Sequence, residues 1–284
     1  MKLRSPAKVN LYLRIVRKRP DGFHEIETVF ERIALFDDVT IRPARSGTRV
    51  SCSDPEVPSG PGNLAWKAAE LLRSRFGVKA GVRIHIRKRI PSAAGLGGGS
   101  SDAASVLVGL NRLWRLRLSR KRLAALAAGL GSDVPFFVWD APLAVGRGRG
   151  ERLRILPAPG RRLWHCLVKP PFGISTKEAY GAWRASLTPP GGDVKMLLHS
   201  IHKGSPQALA PLLFNSLEAS LNKRVRSITK IKTELLRAGA LGCLLSGSGS
   251  TVFGVCSSKA VAFKAARFLK ARHKDWKVFA VATY

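Results

Sequence analysis

The segment from Pro91 to Asn111, PSAAGLGGGSSDAASVLVGLN, constrains what this chain can fold into more than any other stretch. The alternating pattern VRIHIRK, from Val82 to Lys88, predicts a strand before it, and apolar residues recur at helical spacing after it. Four glycines occupy five positions between these two patterns. The sequence therefore predicts a strand, a glycine loop and a helix that begins at about Ser101.

A loop of this composition is suited to bind an anion. Glycines lack the Cβ atoms that keep a backbone away from a ligand, and they allow positive φ angles that aim successive N–H groups at one point. The first turn of the predicted helix adds unpaired N–H donors and the positive end of a helix dipole. We therefore predict a cradle for nucleotide phosphates.

Two other interpretations of the glycine segment are weaker. A flexible linker would not lie between a strand pattern and an apolar helix pattern. No lysine follows the glycines as in G-K-[ST], and the spacing does not fit G-x-G-x-x-G. The sequence thus indicates neither a Walker P-loop nor a dinucleotide-binding fingerprint.

Polar residues at two other places are candidates for chemistry. Lys8 and Asn10 alternate with apolar residues, so a strand would place both side chains on one face, where a plain polar face is the alternative. Asp133 follows a predicted helix end and precedes an apolar run, where it is either a helix cap or a functional carboxylate. A second run of small residues, Gly247 to Gly249, lies between two predicted strands and permits close backbone approach.

The composition indicates a folded intracellular protein of two domains. The chain has 284 residues, of which 45% are hydrophobic, and a break rich in proline and glycine near Leu156 divides it into predicted domains 1–156 and 157–284. The first fifteen residues lack the apolar run of a signal peptide, and no stretch approaches a membrane span, so we expect a cytoplasmic location. The four cysteines are widely spaced, which favours reduced thiols over a zinc site or a disulfide framework.

The charge balance is extreme, with 49 Lys and Arg against 18 Asp and Glu. Such an excess favours polyanionic partners, either nucleic acid or phosphorylated small molecules. The basic residues are spread over many short runs, such as RKR at 87–89, and none matches a known nucleic-acid-binding motif. General surface basicity is therefore the favoured interpretation, and nucleic acid is not the expected partner.

Taken together, these motifs resemble those of the GHMP kinases. PSAAGLGGGSSDAA is similar to their phosphate-binding motif, and LLSGSGSTVFG is similar to their C-terminal glycine motif. SPAKVNLYLRI, RPDGFHEIETVF and GSDVPFF resemble the members that act in non-mevalonate isoprenoid biosynthesis. The matches run in order from Ser5 to Val255, so the resemblance covers nearly the whole chain.

The resemblance implies an α+β, two-domain GHMP kinase fold, with a mixed α/β N-terminal domain that carries the phosphate loop and a ferredoxin-like C-terminal domain. It implies transfer of the γ-phosphoryl group of ATP to the 2-hydroxyl of cytidyl diphosphate methylerythritol, without a phosphoenzyme. It also implies Mg²⁺ as a cofactor and a monomer or homodimer. The protein would thus bind small molecules and no membrane.

The resemblance also implies roles for individual residues. Asp133 would be the general base and Lys8 its catalytic partner, while Ser101 would bind Mg²⁺. Residues implied in ATP binding are Asn63, Leu64, Pro91, Ala93, Ala94, Gly95, Leu96, Gly97, Gly98, Gly99, Ser100 and Ser101. Residues implied in substrate binding are Asn10, Phe23, His24, Tyr180, Gly247 and Ser248. Phe23 takes a place often held by tyrosine, and Asp102 a place where many relatives have asparagine.

Two alternative functions are compatible with the sequence. One is a GHMP kinase for another small alcohol, and a substrate panel would separate it from the first. The other, from a different class, is a basic nucleic-acid-binding protein on a kinase scaffold. Counterion release would give the second a steep salt dependence of affinity.

Overall fold

The computed structural model describes residues 1–188, 191–221 and 224–284. They form two compact units, each assembled from several segments. The first unit consists of Met1–Ala7, Leu35–Ser92 and Gly97–Ala141, and the second of Lys8–Ala34, Ala93–Leu96 and Pro142–Tyr284. Two long strands, β1 (Lys2–Lys18) and β2 (His24–Ala44), contribute residues to both units. The predicted domain boundary at 156 divides the chain by sequence, and it stays a prediction.

The first unit packs helices on a small sheet. Its remaining elements are β3 (Thr48–Cys52), α1 (Leu64–Arg75), β4 (Gly81–Arg87), α2 (Gly98–Leu113), α3 (Arg120–Ala127) and α4 (Val134–Trp139). Strand β4 pairs antiparallel with the end of β2 and parallel with β3. Helices α1 and α2 pack on each other, and α2 buries Ala103, Val106, Leu107 and Leu110 at helical spacing. The unit therefore fixes the glycine segment between a sheet strand and a buried helix.

In the second unit, β2 continues into an antiparallel set with β5 (Leu143–Gly148) and β6 (Arg152–Leu156). The chain then forms β7 (Trp164–Lys169), α5 (Thr176–Ala182), α6 (Val194–His202), α7 (Pro206–Leu209) and β8 (Phe214–Asn215). Although β8 is short, it pairs parallel with β1, with Leu13 opposite Asn215. This pairing brings Asn215 beside the strand that carries Lys8 and Asn10.

The last part of the second unit has a ferredoxin-like topology. It comprises α8 (Val225–Arg237), β9 (Gly242–Leu245), β10 (Val252–Cys256), α9 (Lys259–Arg272) and β11 (Lys277–Ala282). Together with β7 they follow the order β-α-β-β-α-β, and the antiparallel sheet has the strand order β11-β7-β10-β9. The predicted α+β class with a ferredoxin-like C-terminal part is confirmed. Within the described ranges, no helix has the length and apolar character to cross a bilayer.

Candidate active site

The glycine segment starts its helix earlier than the sequence predicts. Gly97 caps α2 with a left-handed backbone (φ +71°), and the helix begins at Gly98. The predicted start at Ser101 is therefore wrong, because a glycine can take the left-handed angle that begins the helix at once. The N–H of Ser101 already donates to the Gly97 carbonyl at 2.9 Å. The backbone N–H groups of residues 98–100 lie in the first turn, so the helix offers them no carbonyl acceptor.

Two serines and a leucine surround these amides. Ser101 Oγ is buried and has no hydrogen-bond partner in the part of the chain that the structure describes. Ser100 is half-buried in the same turn. Leu64 Cδ1 lies 3.9 Å from the place where a Cβ on Gly99 would be. The start of α2 thus combines open first-turn amides, a buried hydroxyl and a neighbouring apolar side chain.

Asn63 has a structural duty as the N-cap of α1. Its Oδ1 accepts from Ala65 N at 2.8 Å, and its Nδ2 donates to the Pro58 carbonyl at 2.7 Å. Both ends of the Asn63 amide are therefore used within the protein, so its predicted contact with ATP would come from the backbone or the side-chain surface.

Lys8 and Asn10 form a buried polar chain in the second unit. Lys8 is 3% exposed, and its Nζ donates to Asn10 Oδ1 at 2.7 Å and to the Gly95 carbonyl at 3.1 Å. Asn10 Nδ2 donates to Thr28 Oγ1 at 2.8 Å, and Thr28 Oγ1 donates to the Tyr12 carbonyl at 2.7 Å. The expectation that both side chains share a strand face is confirmed. Each bond in the chain orients the next, so the ammonium is held in one position.

The two glycine motifs meet at Gly95. Ser246 Oγ donates to the Gly95 carbonyl at 3.0 Å, and Thr251 N donates to the Ala94 carbonyl at 3.2 Å. Gly95 has φ +72°, and a Cβ on it would lie 2.0 Å from the Ser246 carbonyl oxygen. Only glycine fits there. We expected the backbone of the C-terminal glycine motif to approach another group closely, and that group is the backbone of the N-terminal glycine motif.

Gly247 lies directly against the Lys8 chain. A Cβ on Gly247 would be 3.0 Å from Asn10 Oδ1 and 3.3 Å from Lys8 Nζ. The turn that carries it is held by Asn215, whose Nδ2 donates to the carbonyls of Leu245 and Gly247 at 2.9 and 2.8 Å. Sequence reasoning missed Asn215 and Thr28, because their duties depend on partners far along the chain.

The backbone before Gly95 adopts an unusual angle. Ala93 has φ +47°, in the left-handed region that residues with a Cβ rarely take. Gly173 accommodates it, since a Cβ on Gly173 would lie 2.9 Å from Ala93 Cβ. Together with Pro91, which ends the strand pattern, this kink directs the chain into the glycine loop.

Asp133 precedes α4 in the first unit. The residue takes the N-cap position of this helix, yet its side chain makes no capping hydrogen bond. It is half-buried. The plain capping alternative therefore does not account for Asp133, and its approach to Lys8 stays a prediction.

An aromatic group surrounds His24 in the second unit. The His24 ring centroid lies 5.3 Å from that of Tyr180 and 5.5 Å from that of Trp183, which meets it edge-on at 84°. Burial lowers the pKa of His24, and the charge of Lys18 lowers it further. Phe23 is 51% exposed, with the Arg149 guanidinium 4.9 Å from its ring. Trp183 directly follows the end of α5 and has an extended backbone, so its place beside His24 did not follow from helical spacing.

On the C-terminal motif, Ser248 Oγ lies 3.3 Å from Thr176 Oγ1, at the start of α5. Thr176 follows Ser175, which caps α5 by accepting from Glu178 N. The helix that carries Tyr180 is thus linked to the second glycine motif.

Comparison with known proteins identifies the family. Residues 63–141 match the model of the GHMP kinases N terminal domain, and residues 197–275 match that of the GHMP kinases C terminal. The chain is 45% identical over 270 residues to the 4-diphosphocytidyl-2-C-methyl-D-erythritol kinase of Pelotomaculum thermopropionicum, covering 94% of this chain and 92% of that protein. It is 44% identical to the kinase of the same name from Moorella thermoacetica, covering 94% of each.

The chain belongs to the 4-diphosphocytidyl-2-C-methyl-D-erythritol kinase family. A crystal structure of 4-(cytidine 5'-diphospho)-2C-methyl-D-erythritol kinase superposes with a TM-score of 0.85 at 36% identity, covering 99% of this chain and 98% of that chain. A mevalonate kinase from L. major gives 0.73 at 20% identity, which shows the shared fold. This GHMP kinase is therefore a phosphotransferase with ATP as its co-substrate. The predicted family, fold and enzyme class are confirmed, and neither alternative function gains support.

Proposed function

We propose that this kinase transfers the γ-phosphoryl group of ATP to the 2-hydroxyl of 4-diphosphocytidyl-2-C-methyl-D-erythritol. The observation that carries the proposal is the buried Lys8 ammonium, oriented by Asn10 and Gly95 and pressed against Gly247. A fixed cation between two glycine motifs is suited to an acceptor alcohol that must lose a proton next to a phosphate. The names of the relatives supply the substrate.

Proton removal from the alcohol is assigned to Asp133, with Lys8 beside it. A carboxylate next to an ammonium keeps its negative charge, so it can act as a general base at neutral pH. Lys8 would stabilise the alkoxide as the proton leaves, and the alkoxide would attack the γ-phosphorus directly, without a phosphoenzyme. The convergence of Lys8 and Asp133 is part of this proposal.

Phosphate binding is assigned to residues Gly95 to Ser101 of the glycine segment. The amides of 98–100 would donate to the triphosphate, and Pro91, Ala93 and Ala94 would fix the entry of the loop. Leu96 and Leu64, together with Asn63, would complete the nucleotide site. In transition states of this type the charge spreads over the phosphoryl oxygens, so aligned donors contribute mainly by positioning and electrostatics.

Mg²⁺ fits this arrangement through Ser101. Its hydroxyl is buried without a partner among the described residues, at the turn where phosphates would bind. No group of three or more His, Cys, Asp or Glu side chains in the described ranges could hold a metal, so phosphate oxygens would supply further ligands. When bound, the metal would offset negative charge on the transferred group.

Recognition of the cytidyl group is assigned to the aromatic group around His24. The neutral imidazole can donate from one nitrogen and accept at the other, which suits the edge of cytosine. Tyr180 and Phe23 would stack on the base, with Trp183 as a further ring. Asn10, Gly247 and Ser248 would contact the methylerythritol part.

The direct test is phosphate transfer from ATP to the purified cytidyl substrate, followed by ³¹P NMR. Asp133→Asn should lower kcat by about 10³-fold or more while ATP affinity changes little, because a general base acts only in the chemical step. Asp140→Asn is the matched control, since Asp140 lies at the opposite end of α4 and pairs at the surface with Arg120. If Asp133→Asn keeps most of its activity, the assigned base is wrong.

Three further measurements test the partners. A substrate panel of the cytidyl compound, mevalonate and homoserine should show transfer to the first alone. Filter binding of DNA and RNA across a salt series should show negligible affinity at physiological salt, despite the formal net charge of +31. Size-exclusion chromatography should give a monomer or a homodimer.

A further inference from the structure

Three charged side chains are buried together in the first unit, outside the residues assigned to the reaction. Lys88 follows β4, Asp37 lies in β2 and Asp102 lies in α2. Their side chains are 7%, 0% and 4% exposed, respectively. Lys88 Nζ donates to Asp102 Oδ2 at 3.0 Å and makes a short hydrogen bond to Asp37 Oδ2. Burial of three charges is costly, so the link between these elements calls for a reason beyond packing.

The two carboxylates hold opposite ends of the glycine segment. Asp37 Oδ1 accepts from the backbone N–H of Arg89 at 2.5 Å and of Ile90 at 2.8 Å, where the chain enters the segment. Asp102 lies near the start of α2, three residues after Gly99, the last of the four glycines. Lys88 bridges both carboxylates. One ammonium therefore ties the entry of the glycine segment to its exit.

The ammonium also lies against the helix start. A Cβ on Gly98 would be 3.1 Å from Lys88 Nζ and 3.0 Å from Ile90 Cγ2. Gly98 is the first residue of α2, and its amide is one of the open first-turn donors. Movement of the ammonium would therefore change the position of the amides that are assigned to phosphate.

We propose that Lys88 is a positioning residue for phosphoryl transfer, which holds the open amides of α2 in line with the ATP phosphates by bridging Asp37 and Asp102. This inference rests on one part of the proposed function, namely that the α2 amides bind the phosphates of ATP. Lys88 itself need not touch the nucleotide, since two of its donors go to carboxylates. Misplacement of reacting groups by about 1 Å can cost about 10²-fold in rate, so a rigid support has catalytic value.

The test uses two variants of the full chain. Lys88→Met leaves two carboxylates facing each other and can unfold the protein, so the double variant Lys88→Met/Asp102→Asn also removes one of the two carboxylate charges and nearly keeps the side-chain volumes. Lys79→Met, an exposed lysine of the same unit, is the matched control. Circular dichroism checks folding, calorimetry gives Kd for ATP and, separately, for the cytidyl substrate, and steady-state assays give kcat.

We expect the folded double variant to bind ATP about tenfold more weakly and to show kcat about 10²-fold lower, with Kd for the cytidyl substrate unchanged. Lys79→Met should match the wild type. A folded double variant with wild-type ATP affinity and kcat would overturn the inference. An equal rise in Kd for ATP and for the cytidyl substrate would also overturn it. Unfolding of both variants would assign Lys88 to overall stability and also overturn it. Failure of the wild type to use the cytidyl compound would instead overturn the proposed function, and the ATP-binding measurement would still judge Lys88.

Discussion

Lys8 in the second unit and Lys88 in the first are two buried lysines in closely similar surroundings. Each ammonium lies against a glycine of a glycine motif, where a Cβ on Gly247 would be 3.3 Å from Lys8 Nζ and a Cβ on Gly98 would be 3.1 Å from Lys88 Nζ. They differ in their hydrogen-bond acceptors. Lys8 donates to an amide oxygen and a carbonyl oxygen, whereas Lys88 donates to two carboxylates.

The two carboxylates set the charge state of Lys88. Burial alone would lower the pKa of the Lys88 ammonium, but the Asp102 and Asp37 carboxylates raise it above its ordinary value. Its charge is committed to holding two elements together. The Asn10 amide oxygen and the Gly95 carbonyl orient the Lys8 ammonium, and the proposed reaction places this cation beside the charge that forms on the substrate. Under the two proposals, two lysines of similar burial would serve as a support and as a reactant.

The comparison is tested most severely at Lys8. Lys8→Met should lower kcat by about 10³-fold, because the variant loses the cation that is proposed to stabilise the forming alkoxide, and ATP affinity should change little. Lys88→Met/Asp102→Asn should show the other profile, with weaker ATP binding and a smaller loss of kcat. Steady-state kinetics with calorimetric binding of ATP separates the two. If both variants gave the same profile, the distinction between support and reactant would fail.

The sequence predicted Lys8 but not Lys88, for a physical reason. Strand alternation is local, so the shared face of Lys8 and Asn10 follows from two residues of spacing. Lys88 lies in RKR, a run that the sequence cannot distinguish from a solvated basic turn, and Asp37 lies 51 residues away. Only the pairing of β2 with β4 brings that carboxylate close. The network thus depends on tertiary structure.

The same limit applies to the two glycine motifs. Their composition predicted close backbone approach, and the strand, loop and helix around the first motif were predicted correctly apart from the helix start. The partner in that approach was not predictable, since Ser246 lies 151 residues from Gly95. Likewise, the patterns at 24–33 and 39–43 each predict a strand, whereas the structure joins them in β2. Local patterns identify elements, and long-range pairing decides which of them meet.

Alanine substitutions at Gly247 and Gly98 separate the effects of the two lysines. Gly247→Ala should lower kcat by about tenfold or more, because the new Cβ would displace the Lys8 ammonium or Asn10 Oδ1. Gly98→Ala should instead weaken ATP binding several-fold, about 1 kcal/mol, since its Cβ would press on Lys88 and Ile90. Steady-state kinetics and ATP calorimetry measure both effects.

Gly77→Ala is the control for backbone strain in this pair. Gly77 has φ +63°, close to the φ +55° of Gly247, but a Cβ there would meet nothing within 4 Å. It should therefore cost about 1 kcal/mol of unfolding free energy from strain alone and leave kcat and ATP affinity unchanged. Equal losses of kcat in Gly77→Ala and Gly247→Ala would show that strain, rather than contact with Lys8, causes the effect.

His24 differs from Lys88 because burial decides the direction of its pKa shift. Burial lowers its pKa and the Lys18 charge adds to the effect, the opposite direction from Lys88. The folded protein therefore binds a proton at His24 less readily than the unfolded chain, and this residue's contribution to stability, present above the ordinary pKa of about 6.5, is lost as pH falls through the folded value. If the neutral ring reads cytosine, KM for the cytidyl substrate should be lowest near pH 8 and rise as the pH falls through the His24 midpoint, which lies below about 6.5.

The measurement is an NMR titration of the imidazole C2–H resonances, with His24 assigned by its loss in His24→Gln. The His24 midpoint should lie below that of an unhindered histidine, and the rise in KM should follow the same midpoint. A midpoint at or above about 6.5 would mean that a negative charge outweighs burial there, as the carboxylates do at Lys88. If KM instead stays constant as the pH falls through the measured His24 midpoint, the neutral imidazole is not the group that reads the base.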